Sequence, residues 1–146
     1  MVTAEDDVYV LGDLMLGDNA AGIEKLKQLN GNIHIVYGNH DTNNRQTMYA
    51  TELPNRFEIC GFATTLKYKK KSFYLSHYPT LTANMDDNSH TMVHNLYGHT
   101  HQVVNFYEGN PAMYHVGVDS HNCYPVLLDD IITEIEKRKE ECNNEN

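Results

Sequence analysis

The chain has 146 residues, 40% of them apolar and ten of them tyrosine, enough to bury one hydrophobic core. Eleven Lys and Arg against 20 Asp and Glu give a formal charge of −9 at pH 7, so repulsion excludes a broad surface for duplex nucleic acid. A small phosphate ester stays admissible, because a bound divalent cation reverses the local field.

The apolar runs are too short to span a bilayer, and Met1 opens no charged-then-apolar leader; both point to a cytoplasmic protein. With no internal repeat and no Gly-, Pro- or Ser-rich linker, residues 1–146 read as a single domain. Cys60, Cys123 and Cys142 are odd in number and lack CxxC spacing, which reads as reduced structural or surface thiols.

In chain order, Val8–Leu11 is a short apolar strand feeding Gly12-Asp13. Asp18 or Asn19 caps a helix with Ile23, Leu26 and Leu29 on one face, closed by Gly31. Ile33–Tyr37 is the next strand and stops at Gly38-Asn39-His40-Asp41. This strand–helix–strand order predicts an α/β layer with a parallel pair. Thr42–Ala50 follows as a helical segment.

After Pro54 the texture turns to β: Phe57–Cys60, Phe62–Tyr68 and Ser72–Leu75, the last two joined by a solvated turn at Lys69-Lys70-Lys71. Asn95–Gly98, Val103–Tyr107 and Ala112–Val118 read as further strands. Asp129 or Asp130 caps a last helix through Ile131, Ile132 and Ile135, which frays into Asn143–Asn146.

The ligand-type residues lie just past the C-terminal ends of predicted strands. Asp13, then Asn39 and His40, then His77, then His99 and His101 each follow one. In α/β sheets that edge is where loops converge on a ligand. Flanking glycines let the backbone turn sharply. Imidazoles with a carboxylate and an amide make a nitrogen and oxygen set suited to Mn, Fe, Zn, Co or Ni. His99 and His101 are two apart, which on a strand places both on one face. His90 and His94 lie in an Asp-, Asn- and Ser-rich stretch that reads as a loop. His34, His115 and His121 read as structural, and the tyrosines as packing.

Leu11-Gly12-Asp13-Leu14, Gly38-Asn39-His40-Asp41, Ser76-His77-Tyr78-Pro79, Gly98-His99-Thr100-His101 and Val116-Gly117-Val118-Asp119, with Asn122 and Pro125-Val126, come in that order. Together they resemble the calcineurin-like metallophosphoesterases, closest to their small bacterial and phage members. The resemblance covers the chain from about Asp7 to the last helix. It implies a β-sandwich flanked by helices with two divalent metals at its edge. Carried over, Asp13 bridges both metals, Asn39, His77 and His99 complete the second, and His101 binds the first. It also implies that a metal-bound hydroxide attacks phosphorus while His40 protonates the leaving oxygen, with Asp41 orienting its ring. Asp41 can equally cap Thr42–Ala50, and the two roles are compatible. Arg45 stands one turn into that helix, where it can face a substrate phosphate or solvent.

The family pattern opens with Asp-x-His on a first strand, and only twelve residues precede Asp13 here. Asp6 and Asp7 sit at the N-terminal end of the strand that delivers Asp13 and cannot substitute. The expectation is therefore a fold without its first strand, with a bare sheet edge, one full metal site and one incomplete site. The expected function is hydrolysis of small phosphate esters, diesters above phosphoproteins, impaired by the missing Asp-x-His motif. The rival reading is a non-catalytic module of the same fold that binds a metal or a partner.

Overall fold

Val8–Leu11 and Ile33–Val36 lie in neighbouring strands of one parallel sheet: β1 spans Asp7–Leu11 and β2 Asn32–Val36, in register from Asp7↔Asn32 to Leu11↔Val36. The structure, a computed structural model, describes residues 1–82 and 92–144. His90 lies outside them, as do the last two residues of the predicted terminal fray. The chain divides into two compact units, Met1–Thr64 and Thr65–Asn146.

In the first unit, β3 (Phe57–Gly61) extends the sheet to the order β1-β2-β3, again in parallel. Helix α1 (Asn19–Leu26) is started by Asp18, whose carboxylate accepts from the Ala21 amide at 2.9 Å. Ile23 and Leu26 join Met15, Ile33, Ile35, Tyr49 and Phe57 in one buried apolar cluster. Leu29, expected on that face, is instead exposed, because the helix stops at Leu26. Arg56 occupies the end, donating to the carbonyls of Lys27 and Gly31 at 2.9 and 3.0 Å, where a helix terminus needs donors. Helix α2 (Asn43–Glu52) begins with Thr42 in the cap position and without a side-chain cap bond. Asp41 is therefore not its cap.

In the second unit, β4 (Ala63–Tyr68, which begins just before the division), β5 (Lys71–Ser76), β6 (Val93–Tyr97) and β7 (Met113–His115) form a four-stranded sheet in that order. β5, β6 and β7 run parallel. Lys69 and Lys70 make the turn before β5 at φ 46° and 65°, the left-handed pair a two-residue hairpin demands. The lysines are not simply solvated: Lys69 meets Asp129 at 2.7 Å and Lys71 meets Glu136 at 2.9 Å. Both carboxylates lie on α3 (Leu128–Asn144), which buries Ile131 and Ile135. Val103–Tyr107 is not a strand. Val103 and Val104 are 80% and 59% exposed, and among the described residues a single bridge, Phe106↔Tyr114, is the pairing that stretch makes. The predicted strand over Ala112–Val118 shortens to β7 and then turns into a 3-10 segment, Val118–Ser120.

His94, expected in a loop, is a buried residue of β6. Burial lowers its pKa to about 4, with the charges of Lys139 and Lys71 adding to the effect; the Ser72 backbone opposes them weakly, without making a hydrogen bond of good geometry. The unfolded ring titrates near ~6.5. The native state thus keeps a neutral ring while the unfolded state takes up a proton. Stability contributed by His94 is complete above pH ~6.5 and is lost as pH falls toward about 4. Urea titrations at pH 7 and pH 4.5 should show a drop of roughly 2 kcal/mol from this group, absent in His94→Gln. An equal drop in that variant would assign the effect elsewhere.

Candidate metal and phosphoester site

Within each unit the candidate ligands follow strand ends. In the first unit β1 ends at Leu11, and Gly12 (φ 94°) and Asp13 (φ 54°) turn the chain. The turn is held by Asp41, which is 2% exposed. Its Oδ2 accepts from the backbone amides of Gly38 at 2.7 Å and Asp13 at 2.8 Å. Its Oδ1 accepts from the Tyr49 hydroxyl at 2.7 Å and the Leu14 amide at 3.3 Å. Burial first, and then this bond to Asp41, hold the Tyr49 hydroxyl well above the usual tyrosine range. Asp41 thus joins the loop after β1 to the loop after β2, and these partners are not the His40 ring.

Gly38 has to be glycine for the same reason: a Cβ there would run into the carboxylate and amide of Asp13. The Asp13 Oδ1 accepts from the backbone N–H of His40 at 2.8 Å. Asn39 and the His40 side chain are exposed at the same loop. Arg45 donates from Nη1 to the His40 carbonyl at 2.7 Å and from Nε to Asn19 Oδ1 at 2.9 Å. Its guanidinium braces the His40 loop against the start of α1.

In the second unit, the last register pair of β5 and β6 is Ser76↔Tyr97, so His77 and Gly98-His99 emerge side by side. The Gly98 amide donates to the His77 carbonyl at 3.1 Å. Asn95, fully buried in β6, shapes the first of these loops. Its Nδ2 donates to the Tyr74 carbonyl at 3.0 Å and to Ser76 Oγ at 2.9 Å, and its Oδ1 accepts from the Thr80 amide at 2.8 Å. His77 is buried, and its Nε2 lies 3.1 Å from Nδ1 of His99. The Tyr78 ring meets both imidazoles edge-on, at 5.2 and 4.6 Å between centroids.

His99 and His101 do not share a strand face. They sit in a loop at φ 61° and 49°, and His101 turns its Nδ1 to Asp119 Oδ2 at 3.1 Å. That carboxylate fixes the ring and leaves Nε2 to ligate, the arrangement common around bound metals. Buried His115 and half-buried His121 brace the neighbouring loop. His115 Nδ1 pairs with Ser120 Oγ at 2.8 Å, and His121 Nε2 donates to the His115 carbonyl at 2.9 Å.

These residues fit divalent cations on two observations. Two imidazole nitrogens bound to one ion at ~2.0–2.1 Å stand roughly 2.9–3.4 Å apart, and His77 and His99 are already at 3.1 Å. Eight non-glycine residues among those described have positive φ, and three of them are candidate ligands: Asp13, His99 and His101. Such backbone costs about 1–3 kcal/mol per residue and persists where surrounding structure enforces it, as at ligand sites. Sequence reasoning missed Tyr49 and Asn95. An amide in a short strand-like segment, Val93–Tyr97, was the available signal for Asn95, whereas Tyr49 gave none.

Residues 1–118 match the calcineurin-like phosphoesterase superfamily domain. The chain is 31% identical over 148 residues to an uncharacterized protein of Methanocaldococcus jannaschii, covering 95% of this chain and 71% of that protein. A crystal structure of a protein of unknown function from Aquifex aeolicus shares the fold. Its TM-score is 0.63 at 22% identity, over 90% of this chain and 77% of that one.

Proposed function

We propose that this chain, which belongs to the calcineurin-like phosphoesterase superfamily, hydrolyses small phosphate esters, diesters in preference to phosphoproteins, with divalent cations held by Asp13, Asn39, His77, His99 and His101. The observation that carries this reading is the pair of imidazoles at 3.1 Å, His77 and His99, delivered by adjacent parallel strands within the family match. When bound, the cations supply Lewis acidity that activates water and neutralises phosphoryl charge.

The chain's own residues do the rest. Asp41 and Gly38 fix Asp13, Asn95 fixes the His77 loop, and Asp119 orients His101. His40 is the proton donor to the leaving oxygen, on a loop whose backbone is tied at both its N–H and its C=O. Arg45 acts by holding that loop, with contact to substrate phosphate as its second role. Among the described residues no helix is long and apolar enough to cross a membrane.

The test loads purified protein with Mn2+ and screens chromogenic diesters and monoesters. Manganese is chosen because it disfavours thiolate ligands. His77→Ala and His99→Ala should each remove most of the bound Mn2+, and His90→Ala should leave it. Equal loss from His90→Ala would overturn the ligand set. Mn2+ retained without turnover of either ester class would favour the binding module over the enzyme.

A further inference from the structure

We propose a second metal site, for a thiophilic divalent cation such as Zn2+ or Co2+, on the β1-β2-β3 sheet of the first unit, with His34, Glu58 and Cys60 as ligands and Asp7 behind His34. None of these residues belongs to the site described above. The ligand atoms of His34, Glu58 and Cys60 all lie within 4.8 Å of one another. His34 Nδ1 is 2.7 Å from Glu58 Oε2, and its Nε2 is 3.2 Å from Asp7 Oδ1.

Parallel register puts these groups together. Tyr9, His34 and Glu58 are successive neighbours across the three strands, and the Tyr9 ring stacks on His34 at 4.4 Å between centroids. The register then slips: Ile35 pairs with Ile59 but Val36 pairs with Gly61, so Cys60 is the extra residue of a β-bulge. Bulges are rare in parallel pairs and re-aim side chains. Glu58 and Cys60, two apart on β3, share the sheet face that carries His34, and their ligand atoms lie within reach of its ring.

The donor set decides the class of ion. One imidazole, one thiol and one carboxylate match Zn2+ and Co2+ and are poor for Mg2+ or Ca2+. A tetrahedral ion needs these atoms roughly 3.3–3.7 Å apart, so the thiol closes in by at most about 1 Å while the His34–Glu58 pair, now at 2.7 Å, opens slightly. The Glu58 side chain is 68% exposed and free to make that movement. Asp7 on Nε2 supplies the carboxylate that fixes a ligating imidazole and keeps its proton on the outer nitrogen. Binding displaces the His34–Glu58 hydrogen bond and releases the Cys60 thiol proton to solvent, and the fourth position is left to water.

The full chain titrated with Co2+ should develop a thiolate-to-cobalt charge-transfer band in the near ultraviolet, saturating at about one equivalent. Cys60→Ser and His34→Ala should abolish the band. Asp7→Asn should weaken Co2+ binding about 10–100-fold. The double variant Cys123→Ser, Cys142→Ser should keep the band, as should His77→Ala, which separates this site from the phosphoester site. Absence of any thiolate band, or its survival in Cys60→Ser, would overturn the proposal. A measurement without substitutions guards against misfolding: Zn2+ should protect Cys60 but not exposed Cys123 from alkylation, read by mass spectrometry. Equal alkylation of both thiols would also refute the site.

Discussion

His40→Ala should lower turnover of a chromogenic diester by about 10²–10⁴-fold while bound Mn2+ stays near the parent level. The His40 loop is held by backbone, not by the imidazole. The His40 N–H donates to Asp13 Oδ1 at 2.8 Å, and its carbonyl accepts from Arg45 Nη1 at 2.7 Å. Alanine keeps both bonds, so Asp13 remains placed for its cation and only the exposed ring is lost. A general acid acts on the chemical step, so kcat should carry the loss and KM should move little. The variant's activity should also lose the limb of its pH profile that reports the acid. Should Mn2+ content fall in step with activity, His40 is a ligand instead.

Asp41→Ala should destabilise the protein by about 3–5 kcal/mol in urea unfolding, before any effect on catalysis is considered. The carboxylate is 2% exposed and receives four hydrogen bonds, from the amides of Gly38, Asp13 and Leu14 and from the Tyr49 hydroxyl. Removing it strands those donors away from water. Domains of this size hold only about 5–15 kcal/mol in total.

Asp41→Asn should cost less than the alanine. With its one oxygen turned to the Gly38 and Asp13 amides, its NH2 donates to a reversed Tyr49 hydroxyl and only the Leu14 amide loses its acceptor. Tyr49→Phe removes a single bond to the carboxylate and should cost about 1–2 kcal/mol. If Asp41→Asn were fully stable and impaired only in kcat, Asp41 would instead be acting through the His40 ring. The two predictions thus divide the Gly38–Asp41 loop into a chemical half and a structural half.

Much of this protein could be read without coordinates wherever the signal was local. The runs Val8–Leu11 and Ile33–Val36 are strands because a β-branched, apolar stretch ending in glycine admits little else. Helix α3 follows from the spacing of Ile131 and Ile135. The placement of Asp13 past β1, and of His77 and His99 past β5 and β6, needed only the order of elements, because within each sheet parallel strands put their C-terminal ends on the same side.

Long-range partners decided what local pattern could not. Val103–Tyr107 has strand-forming residues, yet Val103 stays 80% exposed. Strand propensity reports a fit to a half-buried pleated surface, and among the described residues no neighbouring strand offers one there beyond a single bridge. Helix α1 stops short of Leu29 because Arg56, distant in sequence, takes the carbonyls at its end. His94 sits in a polar sequence neighbourhood, but β6 begins early enough to bury it. Asp41 looked like a helix cap because an aspartate before a helical segment usually is one. Its role is set by amides 27 and 28 residues away, and only the folded chain brings a buried carboxylate and those donors to the same point.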